Sequence, residues 1–214
     1  MSAVEQALSS QQILSDAQSV PLSLRGPAPT RVVAGFGFWL FLLSDILIFA
    51  ALFAAYAVLV GATAGGPGGP QLFNQASVAI ETVCLLASSY TCGLMSLAVN
   101  ARRSRAFYLG ASLTFAFGAA FLALEIREFA DMITRGATPQ SSAFLSSFFT
   151  LVGCHGLHVG VGLVWLAVMV AQVAVQRLRP TVVRRLLCFS LFWHALDIIW
   201  VALFTIVYLM GVRA

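Results

Sequence analysis

Lysine is absent from this sequence, and all twelve of its basic residues are arginines. Charge of either sign is scarce: only 9% of the 214 residues are charged, against about 25% in an ordinary soluble domain. With 60% of residues hydrophobic, water is not the main solvent of this chain, and most apolar surface can face lipid instead of a soluble-type core. The arginines lie between apolar runs and form no single patch, which excludes a nucleic-acid footprint and speaks for membrane orientation. Paired cysteine spacing is also missing. Cys84, Cys92, Cys154 and Cys188 all fall inside or at the edge of apolar runs, so they read as buried small hydrophobes, not as zinc ligands or a disulfide framework. No nucleophile and base arrangement, phosphate loop or dinucleotide fingerprint appears. The glycines between Gly65 and Gly69 neither follow a strand nor open onto Lys and Ser or Thr.

What is present is a series of five apolar runs, each long enough for the ~20 residues that cross a hydrocarbon core. They cover roughly 36–60, 77–99, 107–126, 144–175 and 186–210. A lipid-exposed segment must satisfy its own backbone hydrogen bonds, so each run is expected to be a helix, and the fold class is an all-α membrane bundle of five transmembrane helices. The fourth run exceeds a crossing and should tilt or extend past the headgroups. Breakers separate the runs: Gly65, Gly66, Pro67, Gly68, Gly69 and Pro70 in the first loop, Pro139 in the third and Pro180 in the fourth.

Residues 1–35 are polar and rich in Ser, Gln and Pro, with no basic start, apolar core and small-residue cleavage site. They are expected to form a mobile tail with a short helix near Val4 to Leu14, ahead of a transmembrane domain over 36–214, and no secretory signal is expected. Nine of the twelve arginines (Arg25, Arg31, Arg102, Arg103, Arg105, Arg177, Arg179, Arg184 and Arg185) fall on one side of the spans, leaving Arg127, Arg135 and Arg213 on the other. The positive-inside rule then places the N-terminus in the cytoplasm and the C-terminus in the periplasm.

Ionisable groups within the spans each cost about 2.5 to 3.5 kcal/mol on insertion scales and need a reason. They are Asp45, Glu81, Glu125, His155, His158, His194 and Asp197. Asp45 lies about 13 Å into the first run, near mid-membrane, and reads either as part of a proton route or lipid cleft or as an interhelical hydrogen bond. Glu81 and Glu125 lie near the ends of their runs, where a structural pairing with Arg127 or with polar loop groups is expected. His155 and His158 are three residues apart and project from nearly one face, but two imidazoles do not fill a metal's coordination sphere. Gly153, Gly156 and Gly160 give the same run a smooth strip for close helix approach. His194 and Asp197 repeat the three-residue spacing, and could bond to each other, to His155 or His158, or to a lipid headgroup. Phe36, Phe38, Trp39, Phe107, Tyr108 and Tyr208 suit an interfacial belt.

Three stretches together resemble subunit III of the haem-copper oxidases: Ser44 and Asp45 within FGFWLFLLSDILIFAALFAAYAVL, the run SSFFTLVGCHGLHVGVGLVWL around His155 and His158, and LFWHALDIIWVALFTIVYLMG around His194 and Asp197. The resemblance extends from about Phe36 to Gly211, and the combination of HGLH with WHxxDxxW is specific. The five-span form and the TAGGP loop are most similar to the bo-type ubiquinol oxidase branch.

The resemblance implies a supporting role. A large subunit I would carry haem b, haem o and copper, subunits II and IV would complete the complex, and ubiquinol would be the substrate of the whole assembly. This chain would bind no cofactor or metal and no nucleic acid, and would hold phospholipid in a cleft between its first two helices and the rest. By position, Asp45 matches the family's membrane carboxylate, where Glu is common, and Glu128 in LEIREF matches a family glutamate. His155, His158, His194, Asp197 and Trp200 match the two motifs, with packing and lipid contact as their expected roles. Subunit III of a cytochrome c oxidase is the nearest alternative, and an independent channel or transporter a more distant one. No internal repeat or matched pair of broken apolar segments favours the latter.

Overall fold

The computed structural model describes residues 30–66, 68, 72 and 74–210. The expected helix near Val4 to Leu14, most of the tail, Arg25, Arg213 and the loop residues Pro67, Gly69 and Pro70 lie outside the described residues. Among the described residues there are five long helices and no strand: α1 (Thr30–Leu59), α2 (Gln75–Asn100), α3 (Ser104–Thr134), α4 (Ala143–Gln176) and α5 (Pro180–Leu203), the last continued by a π-helical segment, Phe204–Met210. All five are long and apolar enough to cross a membrane.

The boundaries depart from the sequence reading in physically intelligible ways. Helix α1 begins at Thr30, inside the stretch expected to be tail, because Val32, Val33 and Phe36 continue the apolar run without a breaker. Helix α3 runs eight residues beyond the expected end at Ile126, to Thr134. Its last turns carry an Asp131–Arg135 ion pair of 2.6 Å at (i, i+4), a spacing that supports a helix outside hydrocarbon as well as within it. Pro180 opens α5 instead of sitting in the loop, since proline at the first helical position lacks only an N–H that would have no intrahelical partner. At 34 residues, α4 is about 50 Å long, well beyond one crossing.

Two compact units divide between Phe38 and Trp39. The described part of the first is the opening of α1, where Val32, Val33 and Phe36 are exposed. In the second, α2 and α3 pack along their lengths, and α5 lies against both α2 and α4. From Trp39 onward α1 touches its neighbours through a narrow seam: Leu42, Phe49 and Tyr56 are buried at seven-residue intervals while Ile46, Leu47 and Ile48 are exposed. A seven-residue interval marks a single line of contact along a helix. Phe49 and Tyr56 meet α4, at His158 (ring centroids 5.3 Å apart) and Phe144 (6.1 Å). The implied cleft between the first two helices and the rest is therefore not found in that form, because α2 belongs to the packed body and α1 alone has sparse contacts.

Very short interhelical approaches explain several glycines. A Cβ on Gly110 would come within 2.9 Å of the Met95 Cβ on α2, which fixes how closely α2 and α3 can lie. Gly118 of α3 and Gly162 of α4 clasp the indole of Trp193 on α5, at 2.9 Å and 2.8 Å from where their Cβ atoms would stand.

Candidate functional site

Helix α2 carries a run of hydroxyls, with Thr82, Ser88, Ser89, Thr91 and Ser96 along it. Thr82, Ser89 and Ser96 recur at seven-residue intervals, with Ser88 and Thr91 three apart beside them, and in hydrocarbon such a polar stripe must find partners on other helices. It does. Trp200 donates its indole N–H to Thr82 Oγ1 at 3.1 Å, and Trp193 donates to Ser88 Oγ at 3.1 Å. Ser89 Oγ and His194 Nδ1 share a hydrogen bond of 2.7 Å, and Ser96 Oγ donates to Ser190 Oγ at 3.0 Å. On the other side, Thr91 and Thr114 of α3 share one of 2.9 Å. The stripe is thus a seam of side-chain bonds joining α2 to α5, with one link to α3.

Motif WHxxDxxW lies on that seam. Trp193, His194 and Trp200 all bond to α2, and Asp197 interacts with both Ser89 and His194. Of the partners the sequence left open for His194, Asp197 lies within electrostatic reach, while its hydrogen bond goes to a serine of α2 and not to His155 or His158. The reason is rotational, since α5 turns this face toward α2.

His155 is fully buried in an aromatic box, with Trp200, Phe121 and Phe49 at centroid distances of 5.2, 5.8 and 6.2 Å. Neither of its nitrogens has a hydrogen-bond partner among the described residues. His158 is half-buried and donates from Nδ1 to the Cys154 carbonyl at 2.7 Å, so that nitrogen serves its own helix. Both imidazoles contact Phe49, in keeping with their shared face. Among the described residues no group of three or more His, Cys, Asp or Glu side chains is arranged to hold a metal ion.

Toward the end of the bundle where α3 finishes, three carboxyls come within electrostatic reach of one another and of Tyr208: Glu81 of α2 with Glu125 and Glu128 of α3. Tyr208, carried by the π-helical segment, donates to Glu128 Oε2 at 3.3 Å. Glu81 and Glu125 are buried, and none of their carboxyl oxygens has a hydrogen-bond partner among the described residues. The expected pairing with Arg127 does not occur. Two positions after Glu125, Arg127 points roughly 200° away around α3 and is exposed. Gly156, the glycine of HGLH, makes room for Glu125: a Cβ there would stand 2.5 Å from its Oε1. The glycine strip expected to take a close helix takes α3, with Gly153 facing Phe129 and Gly160 facing Leu122. An apolar groove of about 640 Å³ follows this line between α3 and α4, with Glu125 in its lining.

Asp45 is half-buried on α1, and its Oδ2 has no partner among the described residues. It stands close enough to Cys154 of α4 to act on it electrostatically. The four cysteines are free, but only Cys92 is buried, so the small-hydrophobe reading holds fully for that one alone. Sequence reasoning missed Tyr208 as a partner of Glu128 and the hydroxyl stripe of α2. The spacing of Ser and Thr along α2 is the signal that could have found the stripe.

This arrangement can tie helices together and hold protonatable groups within a membrane, but it assembles no nucleophile with a base and no open metal site among the described residues. The family profile described as "Cytochrome c oxidase subunit III" matches residues 17–212. The chain is similar to the cytochrome bo(3) ubiquinol oxidase subunit 3 of Pseudomonas aeruginosa, 52% identical over 82% of this chain and 84% of the relative. It is 49% identical to that of Pseudomonas putida, over 82% and 85% of the two chains, and 39% identical to the quinol oxidase subunit 3 of Bacillus subtilis, over 82% and 86%. With its five helices long and apolar enough to cross a membrane, its WHxxDxxW helix bonded to α2, its HGLH helix packed on α3 through Gly156, and these relatives along most of its length, the chain belongs to the cytochrome c oxidase subunit III family.

Proposed function

We propose that this multi-pass membrane protein is the non-catalytic subunit III of a proton-translocating bo-type ubiquinol oxidase in a bacterial inner membrane. The complex would oxidise ubiquinol and reduce oxygen to water, with haem b, haem o and copper in subunit I and with subunits II and IV as further partners. The observation that carries the quinol reading is the 52% identity to a ubiquinol oxidase subunit 3 over most of both chains. In this reading the N-terminus is cytoplasmic, as the arginine distribution favours. The chain's own contribution is to stabilise subunit I and to keep its proton-uptake path working over repeated turnover. Two features support that division of labour. The hydroxyls of α2 bond the indoles and His194 of α5, and α1 leaves Ile46, Leu47 and Ile48 exposed to lipid or to a partner. Asp45 and the residues of HGLH and WHxxDxxW act through packing, lipid contact and local protonation.

Purifying the tagged chain in mild detergent tests the reading. Haem b and o signals in a reduced-minus-oxidised spectrum, with ubiquinol-driven oxygen consumption, are expected. Activity with cytochrome c alone would move the assignment to a cytochrome c oxidase, and a haem-free chain from membranes that express the oxidase would leave an independent channel or transporter ahead.

A further inference from the structure

At the end of the bundle opposite the carboxyl cluster, the turn between α2 and α3 meets the turn between α4 and α5. A concave site of about 600 Å³ opens there, lined by Arg102, Ser104, Arg177 and Arg179 together with the apolar Val175 and Leu178. We propose that this site binds the phosphate headgroup of an anionic phospholipid.

Charge is the first reason. Three arginines line the site, and among the described residues the one ion pair, Arg135 with Asp131, lies at the other end of α3. No carboxylate lines the site, and guanidinium is the side chain best matched in geometry to a phosphate. Backbone is the second. Helices α3 and α5 both begin at this site, and their N-caps, Arg103 and Arg179, supply no side-chain acceptor to the first-turn N–H groups. Those groups and the positive ends of the two helix dipoles remain available to an anion.

The third reason is where the arginines stand. Arg102 has φ of 53° and Arg177 of 57°, in the left-handed region. Helix α2 ends with Arg102 N–H on the Val99 carbonyl and Arg103 N–H on that of Ala98. The end of α3 repeats this pattern, Gly136 N–H to Ile133 and Ala137 N–H to Met132, but with glycine at the left-handed position. Glycine adopts that backbone without steric cost. Arginine does not, so its presence at two such positions on one site points to a use for its side chain.

A lipid fits better than a free phosphate because the site is wet at its arginines and apolar at its edge. Val175 is 84% exposed at the end of a membrane-crossing helix, where an acyl chain would descend beside it. Basic pockets between transmembrane helices at headgroup level are suited to anionic lipids. This inference needs only that the chain cross the bilayer, and does not rest on the identity of the electron donor.

The test uses the intact complex in nanodiscs of phosphatidylcholine containing phosphatidylglycerol, with retained lipid counted by native mass spectrometry after transfer to detergent. Arg102→Gly with Arg177→Gly removes two charges while giving the backbone a residue that favours its angles, so the fold is kept. Loss of one retained phosphatidylglycerol, with affinity about thirty-fold weaker for two lost basic contacts, is expected. Arg184→Gln with Arg185→Gln, an equal charge loss at the same end but off the site, should leave that lipid in place. Equal effects of both pairs, or of neither, would overturn the site. Displacement of the lipid by millimolar inorganic phosphate would overturn the lipid assignment in favour of a soluble phosphate.

Discussion

Replacing Gly162 with alanine should destabilise the bundle even though alanine is the better helix former. The new Cβ would stand 2.8 Å from Trp193 Cζ3 and 3.2 Å from Phe192 Cε1. The indole cannot retreat, because Gly118 lies 2.9 Å from its far edge by the same measure, and its N–H is bonded to Ser88. Overpacking of this kind costs about 1 to 3 kcal/mol, and the helical preference of alanine over glycine returns roughly 0.5 to 1 kcal/mol. The net loss is then about 1 kcal/mol at the middle of both ranges and at most about 2.5 kcal/mol, which for a chain of this length lowers the melting point by about 2 to 4 °C and at most about 10 °C. Gly160→Ala, two residues along α4 and turned roughly 200° from the clasp, with its nearest neighbour at an ordinary 3.7 Å, is the control and should be neutral or slightly stabilising. The assay is the thermal retention of the fluorescently tagged subunit in the purified complex. Adding Trp193→Phe to Gly162→Ala should recover part of the loss, giving a non-additive pair, since phenylalanine lacks the ring atoms that collide. Equal melting of the Gly162 and Gly160 variants, or strict additivity with Trp193→Phe, would refute the clasp.

Gly156→Ala should destabilise by pressing on the buried Glu125 carboxyl, and Glu125→Ala should suppress that effect in the double variant, read by the same melting assay. Ser89→Ala should cost about 0.5 to 1.5 kcal/mol by removing the hydrogen bond to His194, and Cys84→Ala, off the seam, should cost less. Asp45→Asn should leave assembly and initial oxidase rate unchanged and shorten the number of turnovers before activity decays; unchanged durability would remove Asp45 from the account.

Sequence made the number of helices legible, because twenty-residue apolar runs separated by Gly, Pro and Arg have few other meanings in a chain this poor in charge. It was weaker at helix ends. Charged residues such as Arg127, Glu128, Asp131 and Arg135 read as an exit from hydrocarbon, yet a helix continues in water when its charges pair one turn apart. Partner choice was the least legible feature. Which side chain His194 meets depends on the rotation of α5 about its axis, and that rotation is fixed by bulky packing such as Trp193 between Gly118 and Gly162, not by local pattern. The motif glycine Gly156 was recognised as a place of close approach, but the buried carboxyl it accommodates lies 31 positions earlier in the chain, a distance that no short motif spans.

The supporting role is tested most directly by comparing the purified oxidase complex with and without this chain. The account predicts that the complex lacking it keeps its haem spectrum and its initial rate of ubiquinol oxidation but loses activity sooner during continuous turnover. A complex that keeps its haems yet has no initial rate would place a catalytic step in this chain, and one with undiminished durability would leave it without the role assigned here.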